Sequence, residues 1–213
     1  MKSRKNLLKR SQLYLILDKT VFAGRSLESL FSKISVNGIG IIQLRDKFSA
    51  KGDVLILAKK LARRLRASDT LFIVNDYPDI AVLCGADGLH LGQEDLPISE
   101  ARKILGKDKI IGISCHSLRQ ALEAQRQGAD YIGIGPVYAT ATKPEYRPIG
   151  LKVLRQLKTK IKIPYFAIGD IREANIKHIV SAGATRVAVC RAILKSKNIQ
   201  QTARELLSEL RVK

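Results

Sequence analysis

The stretches GADGLHL (85–91), GADYIGI (128–134) and GATRVAV (183–189) open alike, and each runs from Gly-Ala into an apolar segment of strand composition. Each glycine also follows a helix-like pattern, so it sits where a helix ends in a left-handed cap. Gly38 and Gly106 occupy the same kind of position. Working outward, β-rich runs occur at QLYLIL (12–17), GIGIIQL (38–44), TLFIVN (70–75), ADGLHLG (86–92), KIIGIS (109–114), ADYIGIG (129–135), IPYFAI (163–168) and TRVAVC (185–190). Helical periodicity is expected over 27–36, 50–66, 78–84, 98–105, 118–127, 151–157, 172–182 and 202–210. Near-continuous apolar strands, each reached through a helix, make parallel sheets covered by helices. Eight such units in 213 residues predict an α/β chain folded as a single-domain (β/α)8 TIM barrel over residues 1–213, with a basic N-terminal extension at about 1–10. An open doubly wound sheet is the competing arrangement.

The totals narrow the function. A hydrophobic content of 46% suits a globular core. No apolar run approaches the ~20 residues that span a bilayer, and MKSRKNLLKRSQ at the N-terminus has neither a long apolar segment nor a small-residue cleavage site. The expected address is the cytoplasm, with no membrane partner. Cys84, Cys115 and Cys190 lie far apart without CxxC spacing, and His90, His116 and His178 share no zinc-like spacing. The formal charge of +19 raises nucleic-acid binding, but the cations alternate with apolar residues in helix-like stretches such as AKKLARRLRAS and LKVLRQLKTKIK. They read as solvated helix faces, and no specific nucleic-acid partner is expected. The sequence leaves a homo-oligomer open.

Barrel chemistry gathers at the C-terminal ends of the strands. There the chain places QLRDK (43–47), NDYPD (75–79), HLGQEDLP (90–97), SCHS (114–117), GPVYATATK (135–143), GDI (169–171) and CRAI (190–193). Asn75, Asp76 and Asp95 end adjacent strands, and oxygen ligands without His or Cys suit a hard cation such as Mg2+. The bland alternative is that both acids cap the helices after them. Gln43, Arg45 and Lys47 alternate onto one side, a fork and a mobile cation suited to a diphosphate. Lys143, Thr140 and Thr142 offer further groups for an anion. At AIGDI (167–171), a strand-to-helix turn suited to phosphate carries an acid, Asp170.

In order and spacing, QLRDK, NDYPDIA, GADGLHLGQEDLP, GISCHS, GADYIGIGPVYATATK and AIGDI closely resemble the thiamine phosphate synthase family. The resemblance covers about Gln43 to Ile193. It implies a (β/α)8 transferase of thiamine biosynthesis. Such an enzyme joins 4-amino-5-hydroxymethyl-2-methylpyrimidine diphosphate to 4-methyl-5-(2-phosphooxyethyl)thiazole, giving thiamine phosphate and pyrophosphate by Mg2+-assisted dissociative displacement. By the same resemblance, Gln43, Leu44, Arg45, Asp46, Lys47, Asn75, Ser114 and Lys143 hold the pyrimidine diphosphate, with Arg45, Lys47, Ser114 and Lys143 as its catalytic groups. Asp76 and Asp95 bind Mg2+. Thr140, Ala141, Thr142, Gly169, Asp170, Cys190 and Arg191 meet the thiazole phosphate.

Two positions depart from the family pattern. Asp170 stands where a second glycine is usual, and Arg191 where serine is common. A carboxylate ~4 Å from one phosphate charge costs about 4 kcal/mol at an effective dielectric of about 20. Two arrangements avoid this cost. Asp170 caps a helix starting near Ile171, with Glu173 completing a capping-box variant, or Arg191 binds the phosphate while Asp170 orients its guanidinium. The compensating pair is the favoured expectation. The alternatives in function are a thiazole tautomerase-like barrel, which needs no diphosphate or metal set, and a non-catalytic anion-binding or nucleic-acid-binding module.

Overall fold

The computed structural model describes residues 3–24, 30, 38–141 and 145–211. Eight parallel strands close into a barrel in sequence order: β1 (Leu13–Asp18), β2 (Ile39–Arg45), β3 (Leu71–Asn75), β4 (Gly88–Leu91), β5 (Ile110–Cys115), β6 (Tyr131–Ile134), β7 (Tyr165–Ile168) and β8 (Val187–Val189). β1 pairs with β2 on one side and with β8 on the other, which closes the sheet. All eight expected strands are present, and the doubly wound alternative is excluded. The expected helix at 27–36 lies outside the described residues, apart from Leu30.

The described helices are α1 (Arg4–Arg10), α2 (Lys51–Leu65), α3 (Pro78–Leu83), α4 (Ile98–Leu105), α5 (Leu118–Arg126), α6 (Gly150–Lys160), α7 (Ile176–Ser181), α8 (Arg191–Leu194) and α9 (Ile199–Arg211). α1 and α8 are absent from the sequence expectation, and α7 begins four residues later than the expected 172. Gly85, Gly106, Gly128 and Gly183 follow described helices and carry positive φ, as their cap positions require, and Gly38 also has positive φ.

Because successive strand residues face opposite sides, each strand feeds two cores. Leu13, Leu15, Leu17, Phe72, Val74, Leu89 and Ile132 belong to the large core between the barrel and its helices. Tyr14, Ile16, Ile41, Leu71, Ile73, Ile110, Tyr131, Phe166 and Ala188 form a second cluster that fills the barrel itself, and Leu8 of α1 joins it. Glycines make room for the large rings. A Cβ on Gly112 would lie 2.0 Å from the Tyr131 ring, and one on Gly133 would lie 3.3 Å from His90 Cε1. Mid-strand glycines in β5 and β6 therefore admit a tyrosine and a histidine to the interior.

The repeated Gly-Ala segments hold the end opposite the strand termini. Asp87 accepts from the Phe72 amide at 2.9 Å and pairs with Arg4 at 2.7 Å. Asp130 accepts from the Ile111 amide at 2.9 Å and faces Lys5 at 3.5 Å. In the third repeat Arg186 donates to the Lys9 carbonyl at 2.9 Å. All three repeats thus grip α1, which plugs the barrel with Leu8. Among the described residues, no helix is long and apolar enough to cross a membrane.

Candidate active site

A cavity opens where the strands end. It is lined from β1 and β2 by Asp18, Gln43 and Arg45, from β3 to β5 by Asn75, His90 and Ser114, and from β7 and β8 outward by Gly169, Asp170, Cys190 and Arg191. Alternation along β2 explains one wall, since Gln43 and Arg45 face inward while Leu44 packs into the outer core. The Leu44 side chain is therefore turned away from the cavity. Asp46 is also turned away: its Oδ1 accepts from the amides of Phe48 at 3.2 Å and Ser49 at 3.0 Å, closing the turn after β2. Burial works against its charge, but the hydrogen bonds from Ser49 and Phe48 prevail and hold its carboxyl below the usual range.

Arg45 is paired with Asp18 at the end of β1. Asp18 is buried, and its other oxygen accepts from the Thr20 amide at 3.0 Å and the Thr20 hydroxyl at 2.6 Å. A carboxylate held on both oxygens gives the guanidinium a fixed partner. Lys47 Nζ lies 2.9 Å from Asp76 Oδ2. Asp76 has φ +63, a conformation that Asp tolerates better than most side chains. Burial, with the adjacent Asp95 carboxyl, raises its pKa against the opposing Lys47. Asp95 also accepts from the Gly92 amide at 2.6 Å. The two acids come together as a pair beside Asn75, and neither has become a simple helix cap. Tyr77 precedes α3 and Pro97 precedes α4 at the cap positions.

Under the cavity runs a continuous polar chain. Gln43 Nε2 donates to Tyr14 Oη at 2.6 Å, Tyr14 Oη meets Tyr131 Oη at 2.9 Å, and Tyr131 Oη meets His90 Nδ1 at 2.9 Å. His90 Nε2 then meets Ser114 Oγ at 2.9 Å. Burial raises the pKa of both tyrosines, so both remain neutral phenols. Phe166 packs edge-on against both rings.

The opposite wall differs from expectation. Gly169 has φ +115, and a Cβ there would lie 2.6 Å from Pro136 Cα, so the turn requires glycine. Asp170 does not cap a helix. Asn175 is the cap residue of α7, and its side chain spans the preceding turn, accepting from the Arg172 amide at 2.9 Å and donating to the Asp170 carbonyl at 2.8 Å. That bridge satisfies the turn and delays the helix to Ile176, so the capping-box expectation for Asp170 and Glu173 is corrected. Nor do Asp170 and Arg191 pair among the described residues. Asp170 Oδ2 instead faces Arg172 at 3.7 Å, while Arg191 opens α8 on the cavity wall. Burial raises the thiols of Cys115 and Cys190 to about 12, so neither is a ready nucleophile. Thr140 lines the cavity and Ala141 is exposed beyond it. Thr142 and Lys143 lie outside the described residues. His116, which lines the cavity, stacks on Tyr146 at 4.1 Å and bonds the Gly135 carbonyl at 2.5 Å.

Sequence reasoning missed Asp18, Tyr14, Tyr131 and the roles of His90 and His116. Asp18 had an accessible signal, for it ends the first strand just as Arg45 ends the second. The tyrosines carried none beyond their place in apolar runs, where inward and outward positions look alike.

The comparisons with known proteins agree with this arrangement. The family model for thiamine monophosphate synthase matches residues 13–193. The thiamine-phosphate synthase of Halalkalibacterium halodurans is 42% identical over 192 residues, covering 90% of this chain and 91% of the relative. That of Shouchella clausii is 39% identical over 204 residues, covering 95% and 98%. The solved thiamine phosphate pyrophosphorylase of Pyrococcus furiosus superposes with a TM-score of 0.83 at 34% identity, covering 97% of this chain and 96% of that one. A barrel that closes in the order of its strands, a cavity with cations on two walls and a match across nearly the whole chain lead to one assignment: the chain belongs to the thiamine monophosphate synthase family.

Proposed function

We propose that this cavity takes a pyrimidine diphosphate against β2, β3 and β5 and a thiazole phosphate against β7 and β8, and joins them as a thiamine-phosphate synthase. The chain is a transferase of thiamine biosynthesis, as its family membership establishes. The observation that carries the detailed reading is the convergence of Gln43, Arg45, Asn75 and Ser114 on one cavity, with Asp76 and Asp95 adjoining. Arg45 and Lys47 supply positive charge for the diphosphate, and Lys143 is assigned the same role from the family motif. Their interaction strengthens as charge builds on the leaving pyrophosphate, which lowers the barrier.

Asp76 and Asp95 fit a divalent metal by their chemistry. They are hard oxygen donors whose mutual repulsion is felt in the raised Asp76 pKa. Mg2+ held there would neutralise charge on the diphosphate oxygens. The carbon–oxygen bond breaks with its electron pair leaving on pyrophosphate, and the electron-rich aminopyrimidine supports the resulting methylene cation. The thiazole nitrogen then donates its lone pair to form the carbon–nitrogen bond. No protein nucleophile is needed, which agrees with the buried thiols. Gly169, Cys190 and Arg191, with Thr140 to Thr142, hold the second phosphate at the turn where Asp170 stands, its carboxylate opposing that anion, and the positions of both substrates do the remaining work. Mixing both phosphorylated precursors with the purified protein, with and without Mg2+, should yield thiamine phosphate and pyrophosphate only with metal. No product under any divalent metal would overturn the reading.

A further inference from the structure

We infer that Tyr14, Tyr131 and His90 form a one-way hydrogen-bond relay that keeps His90 in its Nε2–H tautomer and turns the Ser114 hydroxyl proton toward the bound pyrimidine. The direction is set at Gln43. Its Nε2 can only donate, and it donates to Tyr14 at 2.6 Å. Tyr14 is buried, and its other hydrogen-bond partner is Tyr131, so the Tyr14 proton must go there. Otherwise a buried donor would be left unmet, at about 1–3 kcal/mol. Tyr131 accepts from Tyr14 and passes its own proton to His90 Nδ1. A neutral imidazole that accepts at Nδ1 carries its proton on Nε2, and this proton faces Ser114 Oγ at 2.9 Å. Ser114 then accepts from His90, and its hydroxyl proton is left for an acceptor in the cavity that Ser114 lines.

Both phenols stay protonated at neutral pH because they are buried, so the chain has one proton per link. Its two ends complement each other. Gln43 has spent its donor on Tyr14 and retains a carbonyl oxygen, while Ser114 presents a donor. An aminopyrimidine offers the converse, an amine donor and a ring-nitrogen acceptor. Tyr14, Tyr131 and His90 are thus positioning residues, and the relay rests on the proposed function for the identity of its ligand.

The test is the tautomer itself. In protein labelled with 15N-histidine, the protonated and unprotonated ring nitrogens differ widely in shift, and His116→Gln and His178→Gln identify the other two of the three histidines. His90 should show a protonated Nε2 and a bare Nδ1. Tyr131→Phe should mix the tautomers and raise KM for the pyrimidine diphosphate about tenfold, the worth of one hydrogen bond, with KM for the thiazole phosphate unchanged. Tyr14→Phe gives a second variant, and the wild-type spectrum needs none. A protonated Nδ1 on His90 in an active enzyme overturns the relay and leaves the function standing. An Nε2–H His90 in a protein that makes no thiamine phosphate supports the polarity and overturns the function.

Discussion

Asp18 and Arg45 end adjacent strands, β1 and β2, and are paired across the register that aligns them residue to residue. The pair places a mostly buried guanidinium on the cavity wall. Removing the carboxylate leaves that charge without its partner, which costs ~3 kcal/mol or more for a fully buried pair. Arg45 retains some exposure, with 16% of its side chain accessible, so about 2 kcal/mol is a fitting discount. Asp18→Asn should therefore lower Tm by roughly 4–8 °C. Pyrophosphate should restore more stability to this variant than it adds to the wild type, because an anion then meets an unpaired cation. Thermal melts with and without pyrophosphate check both effects.

Asp76 makes stability depend on pH. Burial and the neighbouring Asp95 raise its pKa, so between the unfolded and folded values the native state holds the extra proton. With more protons bound in the native state, stability falls as pH rises through that window. Asp76→Asn should thus raise Tm at neutral pH without metal, while abolishing the gain in Tm that Mg2+ gives the wild type. Acid should weaken metal dependence at a pH above that of an ordinary carboxylate, since protons and metal compete for the same oxygens. A titration of Mg2+-dependent rate against pH measures this.

The two ends of the barrel should separate experimentally. Leu8 is buried in the inner cluster from the side of α1, whereas the cavity lies at the other end of the strands. Leu8→Ala should cost about 2–5 kcal/mol of stability, as other buried leucines do. Its kcat, measured well below its lowered Tm, should stay within about twofold of the wild type, because in this architecture the end opposite the strand termini serves stability.

The reach and the limits of the sequence follow from the same geometry. The strands are legible because each apolar run ends in a polar terminus and five of the eight follow a turn glycine, and the cavity residues Gln43, Arg45, Asn75, Ser114 and Asp170 are legible as those termini. The inner layer was hidden, since Tyr14 among leucines and Tyr131 beside isoleucine look like outward core residues until the barrel closes. α7 starts later than its sequence suggests because helix propensity in REAN does not reveal that Asn175 bridges the Asp170 carbonyl and the Arg172 amide. α1 looks like a basic extension in the sequence because its burial depends on one leucine and on the acids of distant repeats.

Asp170 and Arg191 put opposite charges on one cavity. Asp170 has φ +44 and lines the cavity, and its carboxylate is paired only at 3.7 Å with a largely exposed Arg172. That exposed pair contributes little, roughly 0–1 kcal/mol, so it does not neutralise the acid for an incoming phosphate. Asp170→Gly should act twice. Glycine adopts the left-handed backbone without the ~1–2 kcal/mol charged to a side chain, and the change removes a negative charge from the second-phosphate wall. KM for the thiazole phosphate should fall severalfold, with KM for the pyrimidine diphosphate unchanged. Arg191→Ser should move the same constant the other way by about tenfold or more, as loss of a charge-assisted hydrogen bond requires. In the double variant the two effects should offset, since each replaces a charge of opposite sign at one phosphate. Steady-state kinetics on the four proteins decide it, and an Arg191→Ser enzyme with unchanged KM would remove Arg191 from the phosphate site.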